Sequence, residues 1–295
     1  MTTLPDHRQH YIETSPGVRI FVRDFGPVDA PTIIDHHGTP SCSVAFPCGW
    51  TSLPKDVRLI SFDRPGYGRS DNQPGRRVKD AGQWSESIAD HLGVDRFALM
   101  GTSGGGPHAA AAAAVLGDRI TRVCVSVGLG PVELAGFDVA AGMLDATVHE
   151  INHAREGESS LRAFVNELLT HDDPVEEWLQ QLPPSDVEVL SRSDVQAEEK
   201  LEAEEIAAGG HEGWIEDDLA FFHRGWDVDL KSITADALML YGAEDVLVPA
   251  AHGDHYRTAI GHGQVVKVPS AGHWMRDVEP AVVSWLTSST QPFAL

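Results

Sequence analysis

The stretch RFALMGTSGGGPHAAAAAAVLG, residues 96–117, constrains this chain more than any other: an apolar run, four glycines and a serine within residues 101–106, then an alanine-rich segment. Glycine is costly inside a helix or a strand, so a cluster at the junction of the two marks a turn where side chains do not fit. Three kinds of site use such a turn. A Walker-type phosphate loop ends in a lysine that reaches the phosphates, and here Pro107-His108 follows instead. A dinucleotide fingerprint G-x-G-x-x-A fits Gly104 to Ala109 in its letters, but the next apolar run, VCVSVGLG, ends in glycines rather than in the acidic residue that holds a ribose. The third pattern, G-x-S-x-G, is met by Gly101-Thr102-Ser103-Gly104-Gly105 between a strand and a helix, the context that holds a serine hydroxyl out over a sheet edge. A glycine-rich turn without chemistry would read the same way, so the partners decide.

A serine hydroxyl is a poor nucleophile and needs a histidine base, itself oriented by a carboxylate. Downstream, the strand ALMLYG opens into AEDVLVP and places Asp245 just past its end, and VVKVPSAGHWM places His273 just past the next. Carboxyl ends of strands are where open α/β sheets build their sites. Glu244, beside Asp245, stands as a substitute orienter, and Glu133, after the preceding core strand, as a further one.

Elsewhere, β-rich runs at 18–25, 32–35, 57–62, 97–100, 123–127, 237–241 and 264–268 each end in glycine or a turn, with helix-length segments between the later ones. That alternation predicts an α/β fold: a mostly parallel central sheet flanked by helices. The interval 131–232 breaks the rhythm with helical periodicity, acidic runs and no convincing strand, and reads as a helical cap inserted between two halves of one core, residues 1–130 and 233–295. Its acidic stretch, 198–205, is expected to face solvent, because so many carboxylates are not buried unpaired.

With these segments in place the chain resembles the α/β-hydrolase fold family. His37-Gly38-Thr39-Pro40 resembles that family's oxyanion turn, FDRPGYGRS (62–70) its D-x-R/P-G-x-G-x-S segment, GAEDVLVP its acid turn and SAGHW its histidine loop. The resemblance implies a catalytic triad of Ser103 as nucleophile, His273 as base and Asp245 as its orienter. It also implies an oxyanion hole from the backbone N–H groups of Thr39 and Gly104, with no part for the Thr39 side chain, and no cofactor. Family members that cleave halides or epoxides carry aspartate at the elbow, so Ser103 argues for acyl transfer to water. The implied activity is that of a serine hydrolase, esterase-like, opening an ester, lactone, thioester or amide bond of a small, largely apolar molecule. Phe46, Trp50 and Trp274 are candidates for its pocket. A non-catalytic small-molecule-binding protein on the same scaffold is the rival reading, since fold alone does not fix function.

His149-Glu150-Ile151-Asn152-His153 spells H-E-x-x-H, a zinc-hydrolase motif, but no G-x-x-H extension follows it, and it is read as a solvated helix face with no metal. His252 and His255 are likewise expected on an exposed face. Against 22 Lys+Arg stand 44 Asp+Glu, a net charge of −22 that repels phosphate backbones, so the expected partner is a small molecule and not nucleic acid. No signal peptide or membrane-length apolar run is found, which points to the cytoplasm and to no membrane partner. Three cysteines do not make a disulfide framework. Cys42, Cys48 and Cys124 are read as free thiols, a Cys42–Cys48 pair being the alternative.

Overall fold

A strand that is apolar along its length has no solvent face, and β5 (Phe97–Thr102) is of that kind up to its last residue: Phe97 and Leu99 enter one core, Ala98 and Met100 the other. The computed structural model describes residues 4–15, 17–46, 49, 53–170, 178–288 and 292–295. Around β5 it builds one eight-stranded sheet from β1 (His7–Glu13), β2 (Arg19–Phe25), β3 (Thr32–His36), β4 (Arg58–Phe62), β6 (Ile120–Ser126), β7 (Asp236–Gly242) and β8 (Gln264–Val268), in the order β1-β2-β4-β3-β5-β6-β7-β8. Pairing is antiparallel for β1–β2 and β2–β4 and parallel elsewhere. Strand β1 was not expected from its sequence, HRQHYIE, because an edge strand with one buried side chain, Ile12, carries almost no apolar signal. Strand β6 begins three residues before its apolar run, with Arg122 drawn inward to donate to the Trp285 carbonyl and to Ser288 Oγ at 2.8 Å.

Helices α1 (Ala81–His91) and α2 (Gly105–Leu116) cover one face of the sheet. Five consecutive alanines of α2, Ala109 to Ala113, are buried, so the helix lies close on β5 and β6. Between β6 and β7 the described residues contain no strand. They hold α3 (Asp145–Glu156), α4 (Glu158–Thr170), α5 (Pro184–Leu190), α6 (Ser193–Gly209) and α7 (Glu212–Phe222). These form the helical cap, whose own core of Ala154, Leu161, Val165, Trp214, Ile215 and Leu219 also takes in Tyr67 from the loop after β4. The chain then returns to the sheet with α8 (Ala251–Ile260) on the α1–α2 face and α9 (Glu279–Thr287) on the other. Among the described residues no helix is long and apolar enough to cross a membrane. Cys42 and Cys124 are buried free thiols, while Cys48 lies outside the described residues.

Cap and core meet on a buried charge. Asp217, in the middle of α7, is fully buried, with Arg64 at 2.6 Å, Arg76 at 2.8 Å and the Tyr67 hydroxyl at 2.9 Å, all three from the loop region after β4. Burial alone would raise the Asp217 carboxyl, but the two guanidiniums hold it far below the usual carboxylate range. The acidic stretch of α6 departs from expectation for the same reason. Glu198 is buried on Arg276 at 2.7 Å, and Glu205 bridges Arg23 at 3.2 Å and Arg69 at 2.8 Å, so this face of the helix turns toward the core rather than to water.

Removing one partner of a buried ion pair leaves the others uncompensated, which costs about 3–5 kcal/mol. Asp217→Asn is therefore expected to lower the midpoint of thermal unfolding by roughly 10 °C. The exposed Glu204→Gln, on the outer face of α6, should leave it within about 1 °C by the small effect typical of surface changes. Equal midpoints for the two variants in a calorimetric scan would contradict this account of the joint.

Candidate active site

The turn between β5 and α2 is tight enough to force Ser103 into the left-handed region, φ +54°, which a non-glycine side chain enters only when its surroundings fix it. Those surroundings are its own backbone bonds: Ser103 N donates to Ser126 O and Gly106 N donates to Ser103 O, both at 2.9 Å. The flanking glycines are needed for approach. A Cβ on Gly105 would collide with the His36 carbonyl, and one on Gly106 would sit 2.7 Å from the Gly128 backbone. The half-exposed serine thus stands at the carboxyl end of the central strand, where the sheet order reverses between β3 and β5.

The loop after β3 brings Thr39 to the same place. A Cβ built on Gly104 would lie 3.1 Å from the Thr39 nitrogen, so the backbone amides of Thr39 and Gly104 are neighbours beside Ser103. Arg64 pins this loop: its guanidinium donates to the carbonyls of His37 and, at 2.7 Å, Gly38, and its backbone N donates to His37 Nε2 at 3.1 Å. His37 Nδ1 then carries the proton and donates to Gly38 O at 2.8 Å, and burial pushes this imidazole well below its ordinary range, so it is neutral. The Thr39 side chain, expected to be free of constraint, instead donates to Asp217 at 2.7 Å and accepts from Arg64 at 2.9 Å. On the other side of the turn, His108 of α2 donates to Gly104 O at 2.9 Å, with burial pushing its pKa down to about 3.

Asp245 and His273 meet after β7 and β8. His273 Nδ1 donates to Asp245 Oδ2 at 2.8 Å, while Asp245 Oδ1 accepts from the backbone of Leu247 and Val248, each at 2.8 Å. This fixes the carboxylate and leaves Nε2 as the outer ring nitrogen. Ser103 and His273 line one cleft, without a hydrogen bond between their side chains in this state. Glu244 is exposed and accepts from Ser185 of the cap at 2.9 Å, and Glu133 accepts from Trp226 N at 3.1 Å, so neither carboxylate is on His273.

A further acid does reach the histidine loop, and no motif in the sequence points to it. Asp186 of α5 is fully buried, and its Oδ1 accepts from Trp274 N at 2.9 Å. Burial raises this carboxyl, with the amides of Trp274 and His273 pulling the other way. For His273, burial favours the neutral ring, but Asp245 outweighs it and Asp186 adds to the effect, so its pKa is raised above the ordinary histidine value.

The cleft has a volume of about 310 Å³, suited to a small molecule. Phe46 and Trp274 line it, joined by Trp178, whose ring stands at 5.7 Å and 78° to that of Trp274. Trp50 lies outside the described residues. The rest of the wall is mixed: Pro40, Ala45, Leu247 and Met275 share it with Asp35, Glu199, Glu202, Glu279 and Arg276.

Two histidine pairs remain. In the HEINH segment Glu150 turns inward, accepting from Trp214 Nε1 at 2.5 Å and hydrogen-bonded to the buried Asp218, whose carboxyl is pushed well up by burial beside it, while His153 Nδ1 meets Ser160 Oγ at 2.7 Å. Among the described residues no group of three His, Cys, Asp or Glu is arranged to hold a metal ion. His252 is not on an exposed face: it is buried, accepts from Gly130 N at 2.8 Å, and has a pKa lowered to about 4 by burial, because α8 packs this side on β7. His255 is half-buried against Phe137.

Removing a negative charge beside an imidazolium favours the neutral ring. In an NMR titration of His273, Asp186→Asn should move the pKa down and Asp245→Asn should move it down further. An unchanged value in Asp186→Asn would remove Asp186 from the site's electrostatics.

Comparison with known proteins agrees with the fold. The sequence profile of the alpha/beta hydrolase fold matches residues 31–280. A bifunctional esterase/perhydrolase from Acinetobacter calcoaceticus is 23% identical over 281 residues, covering 93% of this chain and 96% of that protein. A non-heme chloroperoxidase from Burkholderia pyrrocinia is 26% identical over 259 residues, covering 82% and 84%. Among solved structures, a thermophilic esterase from Thermogutta terrifontis superposes with a TM-score of 0.67 at 22% identity, covering 96% of this chain and 98% of that one. With its strand order, its serine elbow and a family match across most of its length, the chain belongs to the α/β-hydrolase fold family.

Proposed function

We propose that this protein is a serine hydrolase that opens ester-type bonds of a small molecule through an acyl-enzyme on Ser103. The observation that carries the reading is the convergence on one cleft of a serine on a strained turn, a histidine bonded to a carboxylate at 2.8 Å, and two adjacent backbone amides. His273 Nε2 takes the Ser103 proton as Oγ attacks the substrate carbonyl, and Asp245 stabilises the imidazolium that forms. The amides of Thr39 and Gly104 donate to the developing oxyanion. Collapse expels the alcohol, which takes the proton from His273, and water, activated by the same histidine, releases the acid and restores the serine. The esterase named among the relatives supports this class of chemistry.

The base must be neutral, so the rate should rise with pH through a single titration above the ordinary histidine value, as the raised pKa of His273 requires. Ser103→Ala should abolish fluorophosphonate labelling and lower hydrolysis of p-nitrophenyl esters by on the order of 10⁴ to 10⁶. Asp245→Asn should cost on the order of 10⁴ in kcat and Glu244→Gln little. Chelators should leave the rate unchanged. Near-native turnover by Ser103→Ala would overturn the assignment, and a folded wild-type protein that neither labels nor turns over any activated ester would favour a binding protein.

A further inference from the structure

The alcohol half of an ester has a fixed place in such a cleft. His273 returns the serine's proton to the alcohol oxygen, which requires that oxygen within about 3 Å of the imidazole. Whatever the oxygen carries therefore lies on the His273 side. On that side stands Trp274, its ring centroid 5.3 Å from that of His273 at 70°, with Trp178 beside it at 5.7 Å and 78°. Both indoles line the cleft and both are only half-buried, so each keeps surface for a ligand. Trp274 is also fixed, and the cap fixes it. Asp186 of α5 accepts from its backbone N at 2.9 Å, Glu199 of α6 accepts from its indole N–H, and Trp178 packs on its ring. With the N–H answered by Glu199, the indole asks no hydrogen bond of a ligand and offers it an apolar π-surface. A wall held in place before binding spares the complex the entropy of ordering it. At about 310 Å³ the cleft lies at the small end of ligand pockets, which run from about 300 to 1,000 Å³, and so suits one ring rather than a long chain.

We propose that Trp178 and Trp274 form the alcohol subsite and select a flat aromatic alcohol, so that the preferred substrates are small esters of benzylic or phenolic alcohols. This rests on Ser103 as the acylated residue and on His273 as the donor of the proton that leaves with the alcohol. Two indoles set nearly at right angles offer an incoming ring both offset stacking and edge-to-face contact, the two arrangements that aromatic pairs favour. A saturated ring of the same size buries comparable apolar area but has no quadrupole to match theirs. The difference between the two rings isolates what the indoles add. The acyl half points away from His273 and is not selected for aromaticity by this pair.

The test compares benzyl acetate with cyclohexylmethyl acetate, each rate divided by that ester's own hydrolysis by hydroxide to remove the difference in leaving group. Cyclohexylmethanol is the more apolar alcohol, so burial alone favours it. The wild-type protein should instead favour the benzyl ester in kcat/KM by about two- to tenfold, the equivalent of roughly 0.5–1.5 kcal/mol for an aromatic pair. Trp274→Leu and Trp178→Leu should each bring the ratio toward one. A ratio taken within one variant is indifferent to a loss of overall rate, and Trp178→Leu carries the test if Trp274→Leu does not fold. Ethyl phenylacetate and ethyl cyclohexylacetate move the ring to the acyl half, and their ratio should be smaller than that of the acetates. A wild-type ratio of one or less, an unchanged ratio in the folded variants, or a larger preference in the acyl pair, in a protein that labels with fluorophosphonate, would overturn the aromatic subsite and leave the hydrolase reading intact. Binding of the two acetates to Ser103→Ala reads the same preference without chemistry. Tighter binding of the benzyl ester there, with neither labelling nor turnover by the wild-type protein, would do the reverse.

Discussion

A carboxylate shut away from water on all sides survives as an anion only if neighbouring charge replaces its hydration, and Asp217 is held in that condition by Arg64 and Arg76. The interaction joins the cap to the sheet, and it does more than join. Arg64 is also the residue that gathers the carbonyls of His37 and Gly38, and Asp217 takes the hydroxyl of Thr39. The backbone amide of Thr39 therefore owes its position beside Gly104 to a side chain some 178 residues away in sequence. The segment FDRPGYGRS makes this possible because Asp63 accepts amides from Ser43 and Arg69, closing the turn from which Arg64 projects.

What was legible in the sequence was local. The elbow serine, the aspartate and the histidine each follow a strand, and their neighbours dictate their placement through turn geometry. The groups that were not legible come from the cap and act at long range. Asp186 and Asp217 touch loops far from them in sequence, and no spacing rule announces such contacts. A trace was present all the same: WIEDDLAFF sets acids inside an apolar helical run, and an acid in such a run has to find a partner. The stretch 198–205 departs from its expected solvent-facing position for a related reason. On a helix Glu198, Glu202 and Glu205 share one face, and that face meets the cleft and the arginines. The edge strand β1 shows the opposite limit, since a half-exposed strand with charged alternation has little hydrophobic pattern to read.

The distribution of cations has its own logic. Arg23, Arg58, Arg64, Arg76 and Arg122 are all buried, set against internal carboxylates or carbonyls. Among the described residues ten carboxyls are buried beside these five arginines, and with a net charge of −22 the chain still keeps an excess of acids for its outer surface. A cation approaching such a surface is attracted, and an anion repelled, before either reaches the cleft.

The cap's two aspartates alter what counts as a separable part. The chain enters and leaves the helical insertion between β6 and β7, and by connectivity the insertion looks exchangeable. By function it is not, since Asp186 grips the amide after His273 and Asp217 grips Thr39. A cap borrowed from a relative would arrive without these grips unless it carried an acid at both places, and the recipient sheet would keep Ser103, Asp245 and His273 while losing the frame around them. A change of cap residues that line the cleft leaves these two grips in place, whereas a change at Asp186 or Asp217 reaches the loops of His273 and Thr39 directly.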